Sequence, residues 1–162
     1  MLKGYLFSVL VLITLIDGAS VLAQESRPET GTFGKDTIRD GLGELTIIND
    51  NHKLDALAVL TNLYKVPLIA VYIRSNESFK ISGIVDGTYG LYFKLGNKWY
   101  GNSVKFTEKG GQYRLDRSID FKTTQTSGGV EYSTWTVALE EAVPDANMAA
   151  GKVPVSEEDF PM

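Results

Sequence analysis

His52 is the residue best suited to acid–base chemistry, because it is the single histidine in this 162-residue chain. A catalytic pair of the Ser–His or Cys–His kind would depend on it. It lies in the polar stretch 49–53, Asn-Asp-Asn-His-Lys, which separates two apolar runs. Asn and Asp favour turns because their side chains hydrogen-bond to the nearby backbone. We therefore interpret His52 as a turn residue rather than as a general base.

Carboxylates are the next candidates, since they bind calcium or, in pairs across a cleft, hydrolyse glycosidic bonds. Two groups of acids lie close together in the sequence, Asp50 with Asp55 and Asp36 with Asp40 and Glu44. Neither group has the Asp-x-Asp-x-Asp-Gly spacing of a calcium-binding loop. The chain also lacks cysteine, a Gly-x-Ser-x-Gly motif and a phosphate-binding glycine loop. The sequence therefore predicts no metal site, no cofactor and no enzymatic activity.

Aromatic side chains beside cations give the clearest indication of a functional surface. Tyr72 and Tyr92 fall on the predicted outward faces of two strands, and a loop containing Trp99 follows the second strand. Such patches engage protein partners or sugars, because an aromatic ring combines a large apolar surface with specific geometry. We expect a protein partner, with carbohydrate as the alternative, while a plain structural role for these residues stays open. The candidate ligand-binding residues are Tyr72, Arg74, Tyr92, Lys94, Trp99 and Tyr100.

The elements that position these residues are predicted to be strands, since apolar and polar residues alternate with a period of two. One face of such a strand contacts the core and the other contacts water. Alternation is clearest for three core-facing sets: Ile69, Val71 and Ile73; Tyr89, Leu91, Phe93 and Leu95; and Trp135, Val137 and Leu139. Strands are predicted near residues 45–48, 54–64, 68–74, 78–81, 88–95, 103–106, 117–123 and 132–139.

The run 55–60, Asp-Ala-Leu-Ala-Val-Leu, does not alternate cleanly, and its Ala and Leu residues would also suit a helix. We expect a strand there because Val59 and Thr61 favour β structure and another β run follows directly. Seven or eight short strands separated by turns are typical of a sandwich. The sequence thus predicts an all-β domain over residues 44–140, folded as a single antiparallel two-sheet sandwich.

Residues 79–91, Phe-Lys-Ile-Ser-Gly-Ile-Val-Asp-Gly-Thr-Tyr-Gly-Leu, resemble a turn motif of prealbumin-like sandwiches, including carboxypeptidase-regulatory-like domains and collagen-adhesin B-type repeats. We expect Gly87 to adopt a positive φ in this turn. Ile84, Tyr89 and Leu91 are expected to anchor the two flanking strands in the core. The resemblance implies an immunoglobulin-like or prealbumin-like sandwich and, because sandwiches host many functions, no particular chemistry.

The wider region 44–123 resembles a module of exported bacterial proteins that has no assigned activity. The resemblance rests on Leu45-Thr46-Ile47-Ile48-Asn49, Asp55-Ala56, Tyr72-Ile73-Arg74, Gly96 and Trp99. It favours the predicted fold and a bacterial exported protein without indicating a ligand.

The first residues of the chain are typical of a cleavable signal peptide. Lys3 precedes the apolar run 5–16, which Asp17 interrupts before it reaches the about 20 residues that span a bilayer. Val21 and Ala23 suit signal peptidase at the minus-three and minus-one positions. We expect cleavage after Ala23 and a mature protein, periplasmic or secreted, without a membrane span.

The two ends of the mature chain are expected to lack regular structure. Six acidic residues and a single lysine lie in residues 140–162, so the net charge of −4 is concentrated there and the body is nearly neutral. A neutral body excludes a nucleic-acid partner, which requires clustered Lys and Arg. The predicted organisation is a signal peptide over 1–23, a flexible linker over 24–43, a β-sandwich over 44–140 and a disordered acidic tail over 141–162.

Overall fold

The computed structural model describes residues 27–37, 39–99, 106–140, 148–149 and 151–162. These residues form an all-β structure of thirteen strands, and no helix occurs among them. The described segments accordingly include no helix of the length and apolar character needed to cross a membrane. The predicted signal peptide over 1–23 and the candidate residue Tyr100 lie outside the described residues.

The strands outnumber the seven or eight predicted. They are β1 Phe33–Asp36, β2 Gly43–Asn49, β3 Asp55–Thr61, β4 Pro67–Ile73, β5 Glu77–Ile84, β6 Gly87–Trp99, β7 Phe106–Leu115, β8 Ile119–Phe121, β9 Thr123–Thr126, β10 Gly129–Tyr132, β11 Thr134–Ala138, β12 Met148–Ala149 and β13 Lys152–Pro154. Several additional strands are polar or glycine-rich, such as β7 (FTEKGGQYRL) and β9 (TTQT). Backbone pairing with a neighbour forms such strands, so their side chains show no period-two pattern.

Two sheets form a β-sandwich. The large sheet has the strand order β1-β4-β3-β6-β7-β13, with β8 also paired to β6, and the small sheet has the order β12-β11-β2-β5. Most pairs are antiparallel, as predicted, but β11 runs parallel to both β2 and β12. The main core joins Leu45, Ile81 and Val137 of the small sheet to residues such as Val71 and Phe93 of the large sheet.

Strand β3 explains why residues 55–60 lack clean alternation. The predicted strand is confirmed there, and all seven residues of β3 are buried. β3 lies between β4 and β6 in the middle of the large sheet. Ala58 and Leu60 pack into the main core, whereas Leu57 and Val59 belong to a second apolar cluster. A strand that is covered on both faces has no polar face, so its sequence does not alternate between apolar and polar residues.

The turn motif of residues 79–91 places its core residues as expected, and Gly87 has the positive φ predicted for it. Ile84 and Leu91 are buried in the main core, and Tyr89 packs against it. Gly87, at the start of β6, has a φ of 158°, and Gly83, which was not predicted to be special, has a φ of 82°. A Cβ atom on Gly83 would lie 2.7 Å from a backbone carbonyl oxygen. Both positions therefore favour glycine, and Gly83 is in addition too crowded for a side chain.

Regular structure occurs in the described parts of both flanking regions, residues 27–37, 39–43, 148–149 and 151–162, where a flexible linker over 24–43 and a disordered tail over 141–162 were predicted. β1 pairs with β4, and the Gly31 N–H donates a 2.9 Å hydrogen bond to the Tyr72 carbonyl oxygen. At the other edge of the sheet, β13 pairs with β7, and Phe160 is buried. An existing sheet edge satisfies the backbone groups of an added strand, so few large apolar residues are needed.

Candidate binding groove on the large sheet

The outer face of the large sheet, opposite the main core, carries the second apolar cluster. Its members are Leu57, Val59, Ala70, Tyr72, Tyr92, Phe106 and Phe160, with Trp99 and Val155 partly buried beside them. Tyr72, Tyr92 and Lys94 lie on this face, as predicted. Their exposed fractions are nevertheless only 1%, 7% and 7%. The expectation of a water-facing surface is therefore wrong, because other parts of the chain cover it.

Residues 151–162, which we call the C-terminal segment, cover this face beside β7. Strand β13 pairs antiparallel with β7, and the next residue, Val155, donates a 2.9 Å backbone hydrogen bond to the Gln112 carbonyl oxygen. The Phe160 ring packs perpendicular to Tyr92, with 6.3 Å between the ring centroids. The Lys94 ammonium lies 4.7 Å from the centroid of the same Phe160 ring. Strand pairing combined with a side chain in a pocket is how sheets bind extended peptides.

Charged groups flank the C-terminal segment. Lys65 Nζ lies 3.6 Å from Asp159 Oδ1. The Ser156 hydroxyl donates a 2.8 Å hydrogen bond to the Asp159 carboxylate, and this bond, together with the nearby Lys65, lowers the pKa of Asp159. Two clefts, of about 230 and 200 Å³, are both lined by Lys65, Tyr92 and Arg114. We call the site formed by the β7 edge, the Tyr92–Lys94 pocket and Lys65 the groove.

A buried polar group lies further along the outer face, around Asp55. Its carboxylate accepts hydrogen bonds from the Tyr72 hydroxyl and from Arg27 Nε, the latter at 2.8 Å. The Ser75 N–H donates another at 2.9 Å. Burial alone would raise the pKa of Asp55, but the hydrogen bonds outweigh burial and lower it. Burial and the bond to Asp55 raise the pKa of Tyr72 far above its usual value. A neutral Tyr72 beside an ionised Asp55 is a structural arrangement and not an acid–base pair near neutral pH.

The remaining candidate residues have different surroundings. Trp99 is half-buried, and its ring packs against Tyr72 and Phe106 at centroid distances of 5.0 and 5.6 Å. Arg74 Nε donates a 2.8 Å hydrogen bond to the Pro28 carbonyl oxygen, so Arg74 anchors the chain that precedes β1. The structure thus brings Tyr72, Tyr92, Lys94 and Trp99 onto one face and gives Arg74 a separate role.

Several groove residues were not among the predicted site residues. Gln112 and Phe160 are the most important, since one lies on the strand that pairs with the C-terminal segment and the other fills the pocket. A faint signal for Phe160 exists in the sequence. Val153 and Val155 alternate like a short strand, and Phe160 is the one aromatic residue in the acidic region 140–162.

His52 lies in a turn, in agreement with its interpretation from the sequence. Its Nδ1 contacts Asn76 Oδ1, and Asn51 Oδ1 accepts the N–H groups of Lys53 and Leu54 at 2.9 and 2.7 Å. Asn51, His52 and Asn76 border an open cleft of about 450 Å³. In the described part of the chain, no three His, Cys, Asp or Glu side chains are grouped so as to hold a metal ion.

Comparisons with known proteins do not add to this description. No family model matches the chain, and no curated protein or solved structure matches it significantly. The resemblance to prealbumin-like domains and to a module of exported bacterial proteins therefore stays a prediction.

Proposed function

We propose that the protein is an exported, non-enzymatic binding module that recognises, in the groove, a segment of a protein partner that pairs with β7. The observation that carries this proposal is the position of the C-terminal segment. Its Phe160 ring fills the pocket between Tyr92 and Lys94 while β13 extends the large sheet. The chain's own residues therefore occupy the groove in the manner of a bound peptide.

Three contributions would favour a partner segment in this position. Backbone pairing along β7 would order the segment without requiring a particular sequence. A phenylalanine-sized ring gains about 1.5–3 kcal/mol from burial, and its contact with Lys94 adds about 0.5–2 kcal/mol. An acidic residue next to the ring would meet Lys65 at an exposed site, which is worth at most about 1 kcal/mol. The expected ligand is a segment that pairs with β7 as a short strand and then turns, as residues 157–159 do, so that an aromatic residue beside an acidic one enters the pocket.

The C-terminal segment is a competitor for any such partner, because it is part of the same molecule. A short tether raises the effective concentration of a bound segment to about the millimolar range. A partner therefore displaces the segment only if it makes better contacts with the groove. Weakening the chain's own segment should expose the groove to a ligand added in solution.

Carbohydrate binding is the alternative, and the contacts of the same residues favour it less. Sugar recognition by Tyr72 and Tyr92 would need rings that are open to solvent, whereas both rings lie beneath neighbouring side chains. We retain carbohydrate as one outcome of the binding experiment.

Export is the part of the proposal that depends on residues 1–23. The apolar run and the Val21-x-Ala23 pattern support cleavage after Ala23 and delivery to the periplasm or the exterior of a bacterial cell. Mass spectrometry of the exported protein should show Gln24 at its N-terminus. A retained Met1 would contradict this part.

The binding experiment uses the processed chain with Phe160→Ala, which empties the pocket. A fluorescently labelled peptide of residues 151–162 is titrated and followed by anisotropy. We expect saturable binding to this variant and at least about tenfold weaker binding to the unsubstituted chain, whose own segment competes. Adding Tyr92→Ala to the Phe160→Ala chain should weaken binding, because it removes a wall of the pocket. Adding Tyr132→Ala, at an exposed aromatic residue on β10, is the matched control and should change nothing.

Failure of the peptide to bind the Phe160→Ala chain would overturn the proposed peptide groove. Equal binding by the Tyr92→Ala and Tyr132→Ala receptors would overturn it as well. If soluble cell-wall glycans bind the chain and Tyr92→Ala abolishes that binding while the peptide does not bind, carbohydrate is the ligand class instead.

A further inference from the structure

Gln112 carries an unpartnered polar atom inside the groove. The residue lies on β7 and is 9% exposed, and its Oε1 is the one buried side-chain atom in the described residues without a hydrogen-bond partner. Buried polar atoms in folded proteins are almost always paired, because an unpaired one loses its bonds to water without replacement. At a binding surface, such an atom is a position where a ligand group can supply the hydrogen bond.

Val155 occupies the position opposite Gln112. β13 pairs Pro154 with Tyr113, and the hydrogen bond from the Val155 N–H to the Gln112 carbonyl oxygen continues this antiparallel register. Residues directly opposite each other have side chains on the same face, with Cβ atoms about 4.5–5.5 Å apart. The Val155 side chain packs against the second apolar cluster and has no hydrogen to donate. The apolar Val155 side chain therefore lies on the same face as Gln112 and directly across from it, and it offers no donor to the unpaired amide oxygen.

We propose that the groove selects partner segments that have a hydrogen-bond donor at the position of Val155, namely Ser, Thr, Asn or Gln. This selection rests on the proposed function, and it specifies the partner more closely. Such a side chain would donate to Gln112 Oε1, which the chain's own segment leaves unpaired. The C-terminal segment is thus a weaker ligand than a suitable partner, and a partner displaces it for this reason.

Threonine is the sharpest probe of this selection, because it has the shape of valine and adds one hydroxyl group. The native peptide of residues 151–162 and its Val155→Thr form are titrated against the processed Phe160→Ala chain. We expect the threonine peptide to bind about fivefold more tightly, the factor that one neutral hydrogen bond typically provides. With Gln112→Leu added to the receptor, the hydroxyl would lie in a partly buried, apolar position without that acceptor. The preference should then reverse, and the native peptide should bind about fivefold more tightly.

The experiment distinguishes failure of the proposed preference at position 155 from failure of peptide binding in the groove. The proposed selection is wrong if both peptides bind equally to the Phe160→Ala chain that retains Gln112. It is also wrong if the preference for threonine persists after Gln112→Leu. In both cases the proposed peptide groove is still supported. If neither peptide binds, the proposed function is wrong. The selection is then judged within the intact chain, where Val155→Thr should raise the melting temperature with Gln112 present and lower it with Gln112→Leu. Absence of that reversal would overturn the pairing of position 155 with Gln112.

Discussion

Replacing Phe160 with alanine is expected to release the C-terminal segment without unfolding the sandwich. Phe160 is 4% exposed, and its ring contacts Tyr92 and Lys94. Burial of the ring contributes about 1.5–3 kcal/mol, the perpendicular ring pair about 0.5–1.5 kcal/mol and the contact with Lys94 about 0.5–2 kcal/mol. An alanine side chain retains little of this stabilisation. Since these terms are not fully additive, we expect the segment to dock less favourably by about 3 kcal/mol.

Hydrogen exchange measures this loss at a single amide. The Val155 N–H is bonded to the Gln112 carbonyl oxygen at 2.9 Å, so it exchanges when the segment detaches. A loss of about 3 kcal/mol should raise its exchange rate roughly 100-fold. Amides of β3, in the middle of the large sheet, should keep their protection because they exchange through opening of the whole domain. The Tyr132→Ala protein should exchange like the unsubstituted one at both places.

Two results would refute this reasoning. Unchanged protection of the Val155 amide would mean that strand pairing alone holds the segment and that the Phe160 pocket contributes little. Equal loss of protection in β3 would mean that the segment belongs to the cooperative core and does not detach by itself.

The remaining predictions concern the buried polar group and the turn. Asp55→Asn should lower the free energy of unfolding in urea by about 2–3 kcal/mol, because Arg27 and Tyr72 lose their carboxylate partner. As the pKa of Asp55 lies below its ordinary value of 3.8, the unfolded chain takes up a proton first on acidification. The stability that Asp55 provides should thus be present above about pH 4 and be lost below it, and an acid titration of the Asp55→Asn protein should lack this loss. Gly83→Ala should cost about 2 kcal/mol in thermal or urea unfolding, because of its φ of 82° and a backbone oxygen 2.7 Å from the added Cβ. Gly128→Ala, whose added Cβ would meet no atom closer than 3.9 Å, should be nearly neutral.

The strands were predictable wherever apolar and polar residues alternate, because that alternation indicates which side chains are buried. Ile69, Val71 and Phe93 all lie in the main core, as their spacing predicts. Strand β7 was largely missed because it is polar and rich in glycine, so the backbone of its neighbours forms it rather than its side chains. Pairing of this kind depends on residues that are remote in the sequence.

The candidate site was predictable only in part, for the same physical reason. Alternation correctly placed Tyr72 and Tyr92 opposite the main core. Whether that face meets water depends on what covers it, and the cover includes Phe160, far along the chain from both tyrosines. The acidic composition around Phe160 argued for disorder, whereas one aromatic ring and a short strand are enough when an existing sheet receives them. The partly buried ion pair of Asp55 with Arg27 spans 28 residues and likewise leaves no local pattern.

The large sheet ends at β1 on one side and at β13 on the other, so these two strands protect its edges. A protease that removed residues 151–162 would leave the N–H and C=O groups along one side of β7 unsatisfied. Such a bare margin is a template onto which a strand of another molecule can add, and it is the usual starting point for self-association of β proteins. Trimmed material should therefore tend to polymerise, so a few residues at the margin of the sheet govern how the protein behaves at high concentration.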